Sequence, residues 1–263
     1  FQFPLVIDIY IDGKVRHENV WVNAKKENTF TFSVEKTPQL VNINPDGLII
    51  MEETFAKTDD EYRYQLQHAP QVKSRLQAVE MVNDKKILLL ALQDPFFKVR
   101  IKALNKLEDL PLSTSEQLIV EKIATSDPEN LAKSAAMWVL SKTKDKKYSN
   151  LFQKSLSAHS SAVKNAALNG LAHTQPALAK EFLEKANPKK LTADQLSGLA
   201  GVIVDNQMQQ YLDTLLPYIV YYPFVKDPEM AANFQKAYRW AMHFGEDLLP
   251  RVLTDDAERP VAA

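Results

Sequence analysis

The closest approach to a metalloprotease motif is His17-Glu18-Asn19-Val20-Trp21. In His-Glu-x-x-His on a helix, two imidazoles four residues apart share one face and grip a zinc ion while the glutamate moves a proton. Here Trp21 stands where the second imidazole belongs. The run also alternates like a strand, which separates positions i and i+4 too far for one metal, so a surface hairpin with ordinary polar residues is the expected state. His68, His159, His173 and His243 are scattered singly, with no second histidine or carboxylate at ligand spacing on a convincing helix face. The acidic pairs Glu52-Glu53, Asp59-Asp60 and Asp255-Asp256 sit near element ends, where capping and solubility explain them. Ser160-Ser161 and Ser113-Thr114-Ser115 lack a Gly-x-Ser-x-Gly frame, and the six glycines form no phosphate-cradling loop. The sequence therefore predicts no catalytic, cofactor-binding or metal-ligating residue in this chain.

Two further features bear on binding. Lys142-Thr143-Lys144-Asp145-Lys146-Lys147 is a basic run for which a solvated loop is favoured over a phosphate contact. The last third holds Tyr211, Tyr218, Tyr221, Tyr222, Phe224, Phe234, Tyr238, Trp240 and Phe244. Such residues suit ligand chambers and partner interfaces, yet they also fill the core of a terminal helical layer, and core packing is the favoured reading. With 32 basic against 33 acidic residues, no global field draws in nucleic acid or an anionic membrane. Cysteine is absent, which removes disulfides, thiolate zinc sites and a cysteine nucleophile, and leaves the compartment undecided. No apolar run approaches the length of a membrane span. The opening Phe1-Gln2-Phe3-Pro4-Leu5 has no basic n-region or cleavage site and reads as a cut, with the natural protein continuing upstream.

From Leu5 to about Phe55 the period is two. Leu5, Ile7, Ile9 and Ile11 share a face, Asp12-Gly13 supplies a turn, and Val15 and Val20-Trp21-Val22 follow, which makes a hairpin. Further strands are predicted at Thr29 to Val34, Leu40 to Ile43 and Leu48 to Glu52, with Asn44-Pro45-Asp46-Gly47 as a turn. Short strands so spaced suggest a small antiparallel sandwich. Near Ala56 to Asp60 the period becomes helical, and only Tyr218 to Phe224 then reads as strand-like. Asp94-Pro95, Asp127-Pro128 and Asp227-Pro228 each place an N-cap acceptor before a proline at the first helical position. Ser113 with Glu116, and Thr192 with Gln195, have capping-box spacing.

The helices repeat. Val99-Arg100, Ala103-Leu104 and Leu107 align with Ala132-Lys133, Ala136-Met137 and Leu140, then with Val163-Lys164, Ala167-Leu168 and Leu171. A weaker copy, Ala69-Pro70, Arg75, Ala78-Val79 and Val82, precedes them. The apolar members form one helical stripe with a small alanine at its centre, which lets neighbouring helices approach. Asp at the cap and a basic residue after the first apolar position resemble HEAT repeats, and that resemblance implies antiparallel helix pairs with a ladder of acids and bases between repeats. After Thr174 the repeat fades, and helices punctuated by Pro176, Pro188, Pro217 and Pro223 are expected as terminal caps.

The fold class expected is multidomain α+β: a small antiparallel β-sandwich over residues 1–57, followed by an all-α HEAT/ARM-like superhelix over 58–263. Phe30-Thr31-Phe32-Ser33-Val34, a proline, and Val41-Asn42-Ile43-Asn44-Pro45-Asp46-Gly47, running directly into HEAT-like helices, resemble the C-terminal half of M1-family zinc aminopeptidases. Gly47-Leu48 stands where that family usually has a tryptophan. The resemblance implies an upstream domain that binds zinc through His-Glu-x-x-His and a later Glu, recognises the substrate amino terminus with Gly-x-Met-x-Asn, and cleaves N-terminal residues from peptides by zinc-activated water. None of those motifs occurs here. This chain would then be spacer and concave cover of the peptide chamber, carrying no cofactor itself, with zinc in the parent enzyme. Its partners would be the upstream catalytic domain and the peptide substrate, with no nucleic acid or membrane insertion and a monomeric fragment. The alternative is a stand-alone HEAT scaffold binding a protein partner. A HEAT-containing lyase has less support, because no cofactor site can be named.

Overall fold

A computed structural model describes residues 1–219 and 228–242. The chain begins with a three-stranded antiparallel sheet, β1 (Phe3–Ile11), β2 (Lys14–Val22) and β3 (Leu40–Ile43), in the order β2-β1-β3. Everything regular that follows is helical among the described residues: α1 (Asp59–His68), α2 (Val72–Met81), α3 (Lys85–Ala91), α4 (Phe97–Leu107), α5 (Thr114–Ser126) and α6 (Asn130–Lys142). Then come α7 (Ser149–Ser155), α8 (Ser161–Thr174), α9 (Pro176–Lys185), α10 (Ala193–Asp205), α11 (Leu212–Ile219) and α12 (Pro228–Met242). None of these is long and apolar enough to cross a membrane. The residues fall into two compact units, Phe1–Glu116 and from Gln117 onward.

The hairpin follows from its turn. Asp12 and Gly13 both take positive φ, 49° and 74°, the type I′ geometry whose twist matches that of the strands, and Ile11 pairs with Lys14 across it. Leu5, Ile7 and Ile9 point to one side and are buried, with Phe3, Ile11, Val20, Val22, Val41 and Ile43 packed against them. Segments 29–34 and 48–52 are not strands, contrary to the alternation of their side chains. Phe32 still packs on the Leu5–Ile7–Ile9 cluster, and Arg16 donates to the Ser33 carbonyl at 3.1 Å, so side chains and not a ladder hold the first segment. In the second, the Asn44 side chain donates to the Ile49 carbonyl (2.6 Å) and accepts from the Ile49 N–H (3.2 Å), taking both backbone groups a ladder would use.

Helix starts are chemically marked. Thr58 and Glu61 form a capping box at α1, where the period changes, and Thr192 with Gln195 forms another at α10. The Ser113 hydroxyl accepts from the Glu116 N–H (3.4 Å), and Glu116 accepts from the Ser113 N–H (2.7 Å). Two of the Asp-Pro pairs stand two residues ahead of their expected places, the N-caps being Phe96 and Glu129. Asp94 accepts from the Phe96 N–H (2.8 Å) and Asp127 from the Glu129 N–H (2.9 Å), closing turns before α4 starts at Phe97 and α6 at Asn130. Pro228 is the first residue of α12, and Asp227 lies outside the described residues. The Tyr218 to Phe224 stretch begins in the last turn of α11, and the rest of it lies outside them too.

The repeated stripes are the helical core. Val99, Ala103, Leu104 and Leu107 are fully buried, as are Ala132, Ala136, Met137 and Leu140, and Val163, Ala167, Leu168 and Leu171 are nearly so. In the first unit α2 packs on α4. In the second, α6 packs on α8, α8 on α10 and α10 on α12, while α7, α9 and α11 fill in against their sequence neighbours. Close approach is built in at Gly170, where a Cβ would meet three Phe152 ring carbons at 2.5 Å.

Candidate functional site

Polar groups of the first unit converge where the sheet meets the helices. Period two places Val6, Asp8 and Tyr10 opposite the Leu5–Ile7–Ile9 face, and on this side α1 meets Tyr10 of β1 and α2 meets Asn42 of β3, while Val15, His17 and Trp21 of β2 stay exposed. Asp8 pairs across the sheet with His17 on β2 and Asn42 on β3. Its side chain is 1% exposed, with Oδ1 2.6 Å from His17 Nδ1. Its Oδ2, like the Tyr10 hydroxyl, is buried with no hydrogen-bond partner among the described residues. Burial raises the Tyr10 phenol to about 12, with the Asp8 charge, Tyr64 and Asp46 adding to the shift. The Tyr10 ring meets Tyr64 edge-on at 5.9 Å, and Tyr64 stacks on His68 at 4.1 Å.

A second set of bonds continues from Asn42 into the helices. Asn42 Nδ2 donates to Ser74 Oγ (2.8 Å), which donates to the Pro45 carbonyl (3.3 Å). Gln65 Nε2 donates to the Ser74 carbonyl (2.7 Å), and Lys57 Nζ donates to Gln65 Oε1 (2.8 Å) and Asn42 Oδ1 (3.4 Å). Burial lowers the Lys57 ammonium below the ordinary lysine range; Glu53 and Glu61 oppose that shift and Lys73 reinforces it. Lys73 donates to the Asn44 carbonyl (2.8 Å). The bonds among Asn42, Ser74, Gln65 and Lys57 form a polar joint across the sheet–helix contact, which fixes the two elements in one relative position.

The chemistry available here is narrow. An imidazole held through Nδ1 by a carboxylate keeps Nε2 for a proton or a metal, and the His17 side chain is 58% exposed. Its strand neighbours supply neither a nucleophile nor a second ligand. Glu18 is paired with Arg16 at 2.7 Å, and Trp21 lies about 13 Å along the strand, at roughly 3.3 Å per residue. Among the described residues no group of three or more His, Asp or Glu side chains could hold a metal ion.

The other residues weighed in the sequence do not join this cluster. His159 is exposed, His173 sits half-buried in the last turn of α8, and His243 and Asp255-Asp256 lie outside the described residues. Asp59 and Asp60 occupy the first turn of α1, and Glu53 lies 4.0 Å from Lys73. Ser160 accepts from the Val163 N–H as the cap of α8. In the basic run, Asp145 accepts from the Lys147 N–H, and Lys147 also reaches Gln117 (2.9 Å) and the face of Tyr148 (4.7 Å). The late aromatics that can be followed divide clearly. Tyr211, Phe234 and Trp240 are buried, with the Tyr211 hydroxyl donating to the Leu183 carbonyl at 2.6 Å, while Tyr218 and Tyr238 are half-buried. Tyr221, Tyr222, Phe224 and Phe244 lie outside the described residues.

Sequence reasoning missed Asp8, Asn42, Lys57, Gln65 and Ser74. Alternation assigns Asp8 to a solvent face, and the one contrary signal is Tyr10 beside it, a large ring on the same nominally polar side. The chain matches no family model and no curated protein.

Proposed function

We propose that the chain is a non-catalytic C-terminal segment of an M1-type zinc aminopeptidase, its β-sandwich a spacer and its HEAT-type superhelix a cover over the peptide chamber. The observation that carries this reading is the order of architectures: an antiparallel sheet is followed by helices in which, within each unit, α2 packs on α4 and α6 on α8 through buried stripes repeated in the sequence. Such next-but-one packing is what a stacked array of helix pairs requires. One acid–base rung of the expected kind also supports it: Arg75 Nε lies 2.7 Å from Asp94 Oδ2, with side chains 11% and 3% exposed. In this reading zinc and the bond-breaking groups belong to an upstream domain of the same polypeptide, and this segment limits which peptides reach them.

The native coding sequence upstream of Phe1 tests the proposal. A His-Glu-x-x-His motif with a later Glu is expected there. A degenerate copy would favour a scaffold that binds a protein partner, and a coding sequence without any such motif would end the aminopeptidase reading. The purified chain, assayed with zinc on aminoacyl 4-nitroanilides, is expected to release no chromophore; zinc-dependent release would overturn its non-catalytic role.

A further inference from the structure

The sheet has an open edge with a built-in symmetry. Strand β2 is an edge strand of nine residues, Lys14–Val22, with no proline. No backbone hydrogen bond joins its outer side to another segment among the described residues. A long, regular edge of this kind presents unpaired N–H and C=O groups to any second strand. Its exposed apolar residues are Val15, 41% exposed, and Trp21, 54% exposed, which lie on the same face opposite Tyr10 and Pro4. They are equally distant from Glu18, the midpoint of the strand.

We propose that β2 is a homotypic docking edge, pairing antiparallel with β2 of a second copy about a two-fold axis at Glu18. That register is the one in which every residue of the strand finds a partner, and it sets Val15 against the second copy's Trp21 and Trp21 against its Val15. His17 then faces Asn19, Arg16 faces Val20 and Lys14 faces Val22. The single like-charge contact, Glu18 against Glu18, is softened because each carboxylate is already held by its own Arg16 at 2.7 Å. A second copy is favoured over an unrelated strand because the match of full overlap with apolar pairing comes from the strand's own symmetry. Charges at Lys14, Arg16 and Glu18 keep the association reversible, as they do on natural edges.

Sedimentation velocity across a concentration series tests this directly, with hydrogen exchange of residues 14–22 read in parallel. The expected result is a concentration-dependent monomer–dimer equilibrium in which outer-edge amides of β2 gain protection as dimer forms. Val15→Glu and Trp21→Lys should each weaken dimerisation by about tenfold or more, and the double variant should recover most of the loss, because the new charges face each other in the stated register. Both positions are exposed, so unchanged circular dichroism is the control for folding, and the wild-type exchange data stand even if a variant fails that control. A chain that remains monomeric with concentration-independent exchange overturns the proposal. So does a dimer indifferent to both substitutions, or a double variant no better than the singles.

Discussion

In the sheet, Leu5, Ile7 and Ile9 alternate with Val6, Asp8 and Tyr10, and both sides of β1 end up covered by segments with no internal resemblance. In the helices, the same stripe recurs, and within each unit one copy packs on the next, α2 on α4 in the first and α6 on α8 in the second. A repeated stripe names its own partner, because what buries one copy is another copy. An alternating strand names only a face, and leaves open what comes to lie on it.

The largest expected effect on this contrast comes from the buried ion pair of the first unit. Arg75→Met should leave Asp94 charged and without its guanidinium, at a cost of about 3–5 kcal/mol, read as a lower urea midpoint. A shift below 1 kcal/mol would mean that the stripe alone holds α2 and α4 together. Gly170→Ala, in the second unit, should cost about 1–3 kcal/mol, because its Cβ must displace the Phe152 ring. Cleavage by protease near α7 should rise with it.

Asn42→Ala removes a donor to Ser74 and an acceptor for Lys57, and is expected to cost about 1–3 kcal/mol. If the sheet and α1–α2 were held by apolar contact alone, the same change would be close to neutral. The smallest effect is one of pH. The folded Tyr10 phenol ionises at about 12, against 10.0 for the free group. Between those values the unfolded chain releases a proton that the folded chain keeps, so stability falls as pH rises through the window. Tyr10→Phe should flatten that decline in alkaline unfolding titrations, and an unchanged slope would place the phenol in contact with water.

Much of the local structure was legible from residue types. Asp12-Gly13 specified the hairpin turn, the strand Leu40 to Ile43 lies where alternation put it, and the two capping boxes begin α5 and α10. The strand expected around His17 to Trp21 is β2. Thr29 to Val34 and Leu48 to Glu52 show the limit: their period was right, but a strand needs a neighbour with free backbone groups, and that is a property of the assembled sheet. Asp94 and Asp127 show another, since the acid closed a turn ahead of the helix it was expected to cap. The polar joint was illegible for a similar reason. Asp8 and Lys57 look like surface residues until α1 and α2 come to rest on the sheet.

Four side-chain hydrogen bonds between helical segments of the second unit have a common reach. Ser134 to Ala162, Asn169 to Ser141 and Tyr211 to Leu183 each span 28 residues, and Asn165 to Asp194 spans 29. Closing such loops costs little chain entropy, and no contact among these four must wait for distant parts of the polypeptide to meet. As the chain leaves the ribosome, each helix layer can therefore settle on the one before it while the remainder is still being synthesised.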